Sequence, residues 1–184
     1  MSNSAPTMKT VICLIICAVA VDKSLAAMEA EVVIQAGTDE HVQGRIELFQ
    51  QSHDEPVQIK GSIEGLAPGL HGLHVHENGE LTSACSDAGS HFNPLSTDHG
   101  AQPNLEDQRH IADLGNVVAD ESGTARFDMA DQRQTLFEDE RTIMGRAIVI
   151  HALEDDLGLG GDSESKKTGN AGARVGCGLI VMKQ

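Results

Sequence analysis

The chain has 184 residues, which is enough for one domain with a buried core. It carries 13 basic and 28 acidic residues and has a formal net charge of −15. A surface this negative disfavours binding to nucleic acid or to anionic membranes, and it favours solubility.

The N-terminus has the three-part layout of a secretory signal peptide. Lys9 precedes an uncharged apolar run over residues 11–21, and the small residues Ser24 and Ala26 follow it. This run is much shorter than the ~20 apolar residues that cross a bilayer, which disfavours the alternative of an uncleaved anchor. We expect residues 1–26 to be a signal peptide that is cleaved after Ala26, with synthesis starting at Met1 or Met8. The mature domain, residues 27–184, is then secreted and has no membrane association.

Cleavage would leave two of the four cysteines, Cys85 and Cys177, and a mature chain with 11 basic and 27 acidic residues. Two cysteines in a secreted chain favour one disulfide over two free buried thiols, because the compartment is oxidising.

Short apolar or alternating segments, separated by Gly, Pro, Asn and Asp, recur along the mature chain. They predict eight strands, at residues 30–35, 44–51, 57–65, 72–77, 116–120, 124–130, 145–152 and 177–182. No segment shows a helical period over a dozen residues. The pattern therefore predicts an all-β sandwich or barrel.

Two connections between these strands are too long to be turns, and they run over residues 78–113 and 152–175. Long loops in a compact domain are usually functional. The second is rich in Gly, Asp, Ser and Lys, so that by composition alone it could also be a disordered insertion.

The histidines are concentrated around these connections. His74 and His76 are two residues apart on a predicted strand, so their side chains project from the same face. His151 ends the apolar strand "AIVIH", where a histidine is improbable by chance and therefore indicates a function. His41 and His53 lie in polar turns and are expected at the surface, and we expect a structural role for His71.

The first long connection holds His91, His99 and His110, and Asp113 follows His110 with the spacing H-x-x-D. Neutral imidazole is a ligand for zinc and copper. Three histidines and one aspartate can complete a tetrahedral zinc site, and three or four histidines suit copper. Spacing alone predicts a metal site and leaves the number of metals open.

The sequence resembles the copper/zinc superoxide dismutase family. The resemblance is carried by "GLHGLHVHENG", "HFNPLSTDHG", "RHIADLGN", "GRAIVIHALEDDLG" and "KTGNAGARVGCG", in that order, and it runs from roughly Gly44 to Gln184. It implies an eight-stranded Greek-key β-barrel, an architecture grouped with the β-sandwiches. It also implies an enzyme that converts superoxide to O₂ and hydrogen peroxide by alternating Cu(II) and Cu(I), with one copper and one structural zinc per chain.

The resemblance also assigns the residues of the site. Copper would be held by His74, His76, His91 and His151, and zinc by His91, His99, His110 and Asp113. His91 would bridge the two metals and carry a proton during catalysis. Asp155 matches a carboxylate that links one ligand of each metal, and Cys85 and Cys177 match an intrachain disulfide.

The same resemblance places Arg174 beside the copper, where it would steer and hydrogen-bond the superoxide anion. Lys167, and with less support Lys166, would add positive charge to the cleft and focus the field locally against the negative charge of the whole protein. Leu159 and Ser163 stand where relatives often carry Lys and Glu, so the charge pattern of this loop departs from that of the family.

The resemblance implies a homodimer, although Asn78 stands where many dimeric relatives have an aromatic residue. The alternative to the enzyme is a non-catalytic copper/zinc-binding or copper-transfer module on the same fold, which would be expected to lack a copper ligand or Arg174. A zinc hydrolase would need an open zinc position, which a four-ligand set does not leave.

Overall fold

The computed structural model describes residue 1 and residues 26–101 and 108–184. The predicted signal peptide, apart from its two end residues, lies outside these ranges. Across them, no helix is both long enough and apolar enough to span a bilayer.

The described residues form nine strands and almost no helix. The strands are β1 (Met28–Ala36), β2 (Gln43–Gln50), β3 (Val57–Glu64), β4 (Gly69–His76), β5 (Asp113–Ala119), β6 (Ala125–Asp131), β7 (Ala147–His151), β8 (Arg174–Leu179) and β9 (Val181–Met182). One short helix, α1 (Ser165–Thr168), and one 3₁₀ turn (Ser86–Ala88) lie in the two long connections.

The strands close into a barrel. Their order is β2-β3-β6-β5-β4-β7-β8-β1-β9, and a further pairing between β1 and β2 completes the ring. Every pairing between the named strands is antiparallel. The neighbours β3–β6 and β4–β7 are not consecutive in the chain, as in a Greek key. The predicted all-β class and the eight-stranded barrel are thus confirmed, with β9 as an additional short strand.

The last predicted strand, residues 177–182, is divided in the structure. Ile180 is fully buried and leaves the ladder, because its backbone N–H donates to Arg146 O at 2.9 Å and its carbonyl accepts from Gly145 at 3.0 Å. The chain then resumes as β9 against β1, with Ala30 opposite Met182.

The barrel interior follows from the alternation of side chains along each strand. In β3, Val57, Ile59 and Ile63 are fully buried, whereas Lys60 points outward and pairs with Asp128 at 2.9 Å. All five residues of β7 are buried, because Ala147 and Val149 on its outer face are covered by Cys85 and Ala88 of the first long connection. This cover explains why β7 is a continuous apolar run and why His151 at its end is enclosed.

A disulfide joins the first long connection to the barrel. Cys85 and Cys177 are bonded across 92 residues of sequence and are 0% and 2% exposed. The predicted disulfide is confirmed, and it fastens the loop over β7 to strand β8.

The second long connection is folded, so the alternative of a disordered insertion is wrong. The carboxylate of Asp156 accepts hydrogen bonds from Ser165 Oγ at 2.8 Å and Asn170 Nδ2 at 2.7 Å. The backbone carbonyl of Lys166 in α1 accepts from His99 N–H at 2.8 Å. This contact packs the second connection against the first, and the candidate ligands lie between them.

Candidate metal centre

Four histidine rings meet beside strands β4 and β7. His74 and His76 come from β4, His151 ends β7, and His91 of the first connection is bridged to His76 by backbone pairing. The ring centroids of His74 and His91 are 4.0 Å apart, and those of His76 and His151 are 5.5 Å apart. Potential ligand atoms of all four lie within 4.8 Å of one another.

The outer nitrogens of three of these rings are held by the surrounding chain. His76 Nδ1 donates to Gly89 O at 2.9 Å, and His151 Nδ1 donates to Gly172 O at 3.0 Å. His74 Nε2 lies 2.9 Å from Asp155 Oδ2. These bonds fix the tautomers, so the opposite nitrogens face one another with their lone pairs free for a metal.

The inward nitrogens are correspondingly short of partners. Nδ1 of His74 and Nε2 of His91 are buried and have no hydrogen-bond partner among the described residues. Nε2 of His76 and Nε2 of His151 lie 3.4 Å apart. Buried polar atoms without partners are rare in proteins, and their convergence fits a bound transition metal. We call His74, His76, His91 and His151 the first cluster.

Burial keeps these four imidazoles neutral. It lowers the pKa of His74 and His76 well below 6.5, lowers that of His91, and lowers that of His151 to about 4. The neutral ring is the form that binds a metal. The first cluster is therefore ready to coordinate at neutral pH without losing protons.

A second group of histidines surrounds one buried carboxylate, that of Asp113. Nδ1 of His91 lies 3.0 Å from Asp113 Oδ1, Nδ1 of His110 lies 3.2 Å from the same oxygen, and Nδ1 of His99 lies 2.9 Å from Oδ2. Asp113 is fully buried. The sequence places it at the end of the first connection, and the structure makes it the first residue of β5. We call His91, His99, His110 and Asp113 the second cluster.

The four members of the second cluster are not equally close. Potential ligand atoms of His91, His99 and Asp113 lie within 4.8 Å of one another, and the fourth residue in that range is His74 rather than His110. His74 Nε2, however, is already held by Asp155. Three imidazoles and one carboxylate fit zinc, and His110 joins this set through its contact with Asp113.

Asp155 connects the two clusters. Its Oδ2 lies 2.9 Å from His74 Nε2, and its Oδ1 lies 2.7 Å from His99 Nε2. Burial raises the pKa of Asp155, but the hydrogen bonds from the two histidines outweigh it and hold that pKa below its ordinary value. Burial likewise lowers the pKa of His99, yet hydrogen bonds to Asp113 and Asp155 dominate and raise it to about 9.

Two residues that the sequence reasoning missed hold Asp155 in place. Asn116 of β5 donates from Nδ2 to Asp155 O at 2.8 Å and accepts from Asp155 N–H at 2.8 Å. Gly169 has φ = 63°, and a Cβ built there would lie 1.9 Å from Asp155 Oδ1, so only glycine fits. Both residues lie in the motifs "RHIADLGN" and "KTGNAG" quoted above, but nothing in their spacing indicates these contacts.

A cleft of about 790 Å³ opens onto the clusters. Its lining includes the rings of His76, His91, His110 and His151, the cations Lys166, Lys167 and Arg174, and the acids Glu77, Asp98 and Glu164. Lys167 Nζ is paired with Glu164 Oε1 at 3.2 Å, which offsets part of its charge. The sequence predicts a positively charged cleft wall, and the structure shows a wall that carries charges of both signs.

Arg174 is held by the disulfide loop. Its Nη1 donates to Cys85 O at 2.7 Å and Ser86 O at 3.1 Å, and its Nη2 donates to Gly89 O at 2.5 Å. The Gly89 carbonyl also accepts from His76 Nδ1. The guanidinium group is thus fixed at the wall of the cleft that His76 and His151 also line.

The three remaining histidines lie outside both clusters. His71 has its ring nitrogens 2.8 Å from His151 O and 2.7 Å from Ala67 O, which agrees with a structural role. His53 lies 2.9 Å from Asp139 Oδ2, and His41 is exposed.

One comparison with known proteins places this centre in a family. Residues 42–180 match the family model described as "Copper/zinc superoxide dismutase (SODC)". The matched range covers most of the chain and includes both clusters, Asp155, Arg174 and the disulfide. The chain therefore belongs to the copper/zinc superoxide dismutase family.

Proposed function

We propose that this chain is an active superoxide dismutase, which converts two superoxide anions and two protons into O₂ and hydrogen peroxide. The observation that carries the proposal is the position of His91, whose ring belongs to both clusters. Its Nδ1 faces Asp113 at 3.0 Å, and its Nε2 is buried without a partner among the described residues. A ring placed in this way would serve as a ligand in both clusters.

Copper is assigned to the first cluster and zinc to the second, with one ion of each per chain. The four imidazole nitrogens of the first suit copper, and the three imidazoles and one carboxylate of the second suit zinc. When bound, copper would supply one-electron chemistry by alternating between Cu(II) and Cu(I), and zinc, which has no redox chemistry, would fix the histidines of the loop.

Arg174 binds the anionic substrate. Three of its five N–H groups are used by the carbonyls of Cys85, Ser86 and Gly89, and the other two have no partner among the described residues and can donate to an anion. Because the guanidinium is already oriented, the substrate does not have to order it. His91 lines the cleft, and its buried Nε2, which has no partner among the described residues, is the atom that can hold a proton for the departing peroxide.

A copper-transfer module on the same fold is the alternative. It would be expected to lack a copper ligand or the arginine, and this chain has His74, His76, His91, His151 and Arg174. A zinc hydrolase is less compatible, because the second cluster offers four ligands and no open position.

We further propose that the protein is exported and acts outside the cell in antioxidant defence. The charged, apolar and small-residue layout of residues 1–26 supports export. The disulfide between Cys85 and Cys177 agrees with an oxidising compartment.

The exported protein is proposed to be a homodimer. Four apolar side chains, Val33, Leu179, Val181 and Met182, are 37–51% exposed. They lie on β1, β8 and β9, which are adjacent at one side of the barrel. An exposed apolar patch of this kind is typical of an association surface, and a second copy can cover it by two-fold symmetry.

The first prediction concerns the metals and the activity. The purified mature chain, residues 27–184, should contain about one copper and one zinc per chain and should consume superoxide catalytically. His151→Ala should keep zinc and lose copper, and its activity should fall by more than the roughly 100-fold expected when only an outer partner of a ligand is removed. Metal analysis and a superoxide-decay assay on the same preparations measure both, with His41→Gln as the control.

Two results would contradict this assignment. Both metals bound without activity would favour the copper-transfer module. Zinc alone, with no activity after copper has been supplied, would mean that the pair His74 and His76 is wrongly assigned.

The second prediction concerns Arg174. Arg174→Ala should lower kcat/KM for superoxide by about tenfold or more and should weaken its dependence on ionic strength, because a fixed positive charge at the cleft is lost. Arg174→Lys should retain part of the rate. Lys60→Ala on the outer face of β3 is the matched control, since Lys60 is exposed and paired with Asp128; equal effects of the two alanine variants would argue against a substrate role for Arg174.

The third prediction concerns pH. The pKa of His99, about 9 without metal, means that the ring is protonated at pH 7 and that zinc must displace this proton. The zinc affinity of the metal-free protein should therefore rise about tenfold per pH unit between pH 7 and 8.5 and level off above the pKa. Copper affinity, which depends on rings that are already neutral, should change much less. Chelator competition measures both, and a zinc affinity that is flat over this range would contradict the analysis.

The fourth prediction concerns the exported form. Protein recovered from the culture medium should begin at Ala27, and light scattering should give twice the mass of the mature chain. Met182→Glu should give a monomer because it places a charge in the apolar patch, whereas Val118→Glu, at an exposed position on β5, should remain dimeric. An intact N-terminal segment would contradict export, and a monomeric wild type would contradict the dimer.

A further inference from the structure

Both ends of the segment between His99 and His110 converge on one backbone carbonyl. Arg109 O accepts from Thr97 Oγ1 at 2.7 Å and from Arg133 Nη1 at 2.6 Å. Thr97 is itself fixed by Asn93, whose Oδ1 accepts from Thr97 N–H at 3.1 Å and whose Nδ2 donates to Thr97 O at 2.8 Å. The carbonyl therefore ties the chain just before His99 to the chain just before His110.

Arg133 supplies this carbonyl with a donor from the barrel. It lies two residues after the end of β6, and its backbone N–H donates to Asp131 Oδ1 at 2.7 Å. It is only 8% exposed, which is unusual for an arginine. A hydrogen bond from a charged donor is roughly twice as strong as one between neutral groups, so this contact is a firm link between the barrel and the loop.

Arg109 extends the link to the second cluster. Its Nη2 donates to Asp131 Oδ2 at 2.5 Å and its Nη1 to Asp113 O at 2.7 Å. The carboxylate of Asp131 thus contacts both arginines. Its Oδ2 accepts from the side chain of Arg109, and its Oδ1 accepts from the backbone N–H of Arg133. Arg109 is followed in the chain by His110. Of the three histidine Nδ1 atoms that contact the Asp113 carboxylate, that of His110 is the most distant, at 3.2 Å.

We infer that Arg133 is a positioning residue for zinc: its bond to the Arg109 carbonyl sets where His110 stands relative to Asp113. His110 is held to Asp113 through its ring and through its backbone N–H, which donates to Asp113 Oδ2 at 3.0 Å, so its placement depends on the backbone that Arg109 continues. This inference rests on the proposed zinc site and concerns how tightly that site retains its ion. Arg133 contacts neither substrate nor metal in this scheme.

The experiment measures zinc release from copper-free, zinc-loaded protein with a chromogenic chelator. Arg133→Met keeps the length of the side chain and removes the donor, and zinc should leave about 10–100-fold faster, which is the range for lost outer partners of metal ligands. Arg133→Lys should restore part of the retention. Arg126→Met is the matched control, because Arg126 lies at an exposed position of β6. This variant should release zinc at the wild-type rate.

A second readout separates positioning from a general loss of stability. Loading with zinc should raise the thermal midpoint of Arg133→Met less than that of the wild type, because a weaker site contributes less binding energy to the folded state. A merely structural role would lower both midpoints and leave this difference unchanged. Cobalt bound in place of zinc should also show an altered visible spectrum in Arg133→Met.

The outcomes are distinct. Release from Arg133→Met within twofold of the wild type overturns the inference and leaves the zinc site standing. A wild-type protein that retains no zinc overturns the zinc site and the inference together. If Arg133→Met does not fold, Arg133→Gln shortens the side chain and removes the charged donor, and wild-type zinc release in that variant overturns the inference.

Discussion

The buried carboxylate of Asp113 is the constraint on which the metal centre depends. A fully buried negative charge is costly unless it is paired or coordinates a metal. Three Nδ1 atoms, from His91, His99 and His110, lie within 3.2 Å of it. Burial raises its pKa, but hydrogen bonds from these histidines hold that pKa well below the ordinary value. The carboxylate thereby holds three segments of the first long connection together without a bound metal.

The candidate ligands come partly from the barrel strands and partly from the first long connection. The strands supply His74, His76, His151 and Asp113, so these side chains are set by rigid backbone. The first connection supplies the other three histidines, and it is tied down by the disulfide, by Arg174 and by the Arg109 carbonyl. Sites that combine a rigid scaffold with ordered loops are typical of proteins that carry chemistry.

Much of this architecture could be predicted because it is local in the sequence. Alternation located the strands, and the i, i+2 spacing placed His74 and His76 on one face. The helix α1 was missed because four residues show no helical period, and β8 and β9 were merged because the departure of Ile180 depends on Gly145 and Arg146, more than 30 residues earlier.

The site was predicted less evenly than the fold. Spacing alone indicated a metal but left the number of metals open, and the assignment of residues to copper and zinc came from resemblance. Asn116, Gly169 and Arg133 act through contacts between distant segments, and no pattern in their own neighbourhoods indicates them. Export stays a prediction, since the segment that carries it lies outside the described residues.

One backbone oxygen, that of Gly89, accepts both from the ring of His76 and from the guanidinium of Arg174. Its position therefore sets the orientation of a candidate metal ligand and that of the proposed anion-binding group at the same time. A shift of this turn moves both groups, so a change that tilts the guanidinium of Arg174 toward a larger anion also rotates the imidazole of His76. Under the proposed roles of Arg174 and His76, the substrate range and the electronic properties of the candidate metal centre both depend on the Gly89 peptide unit, which limits how far either can diverge while the other is kept.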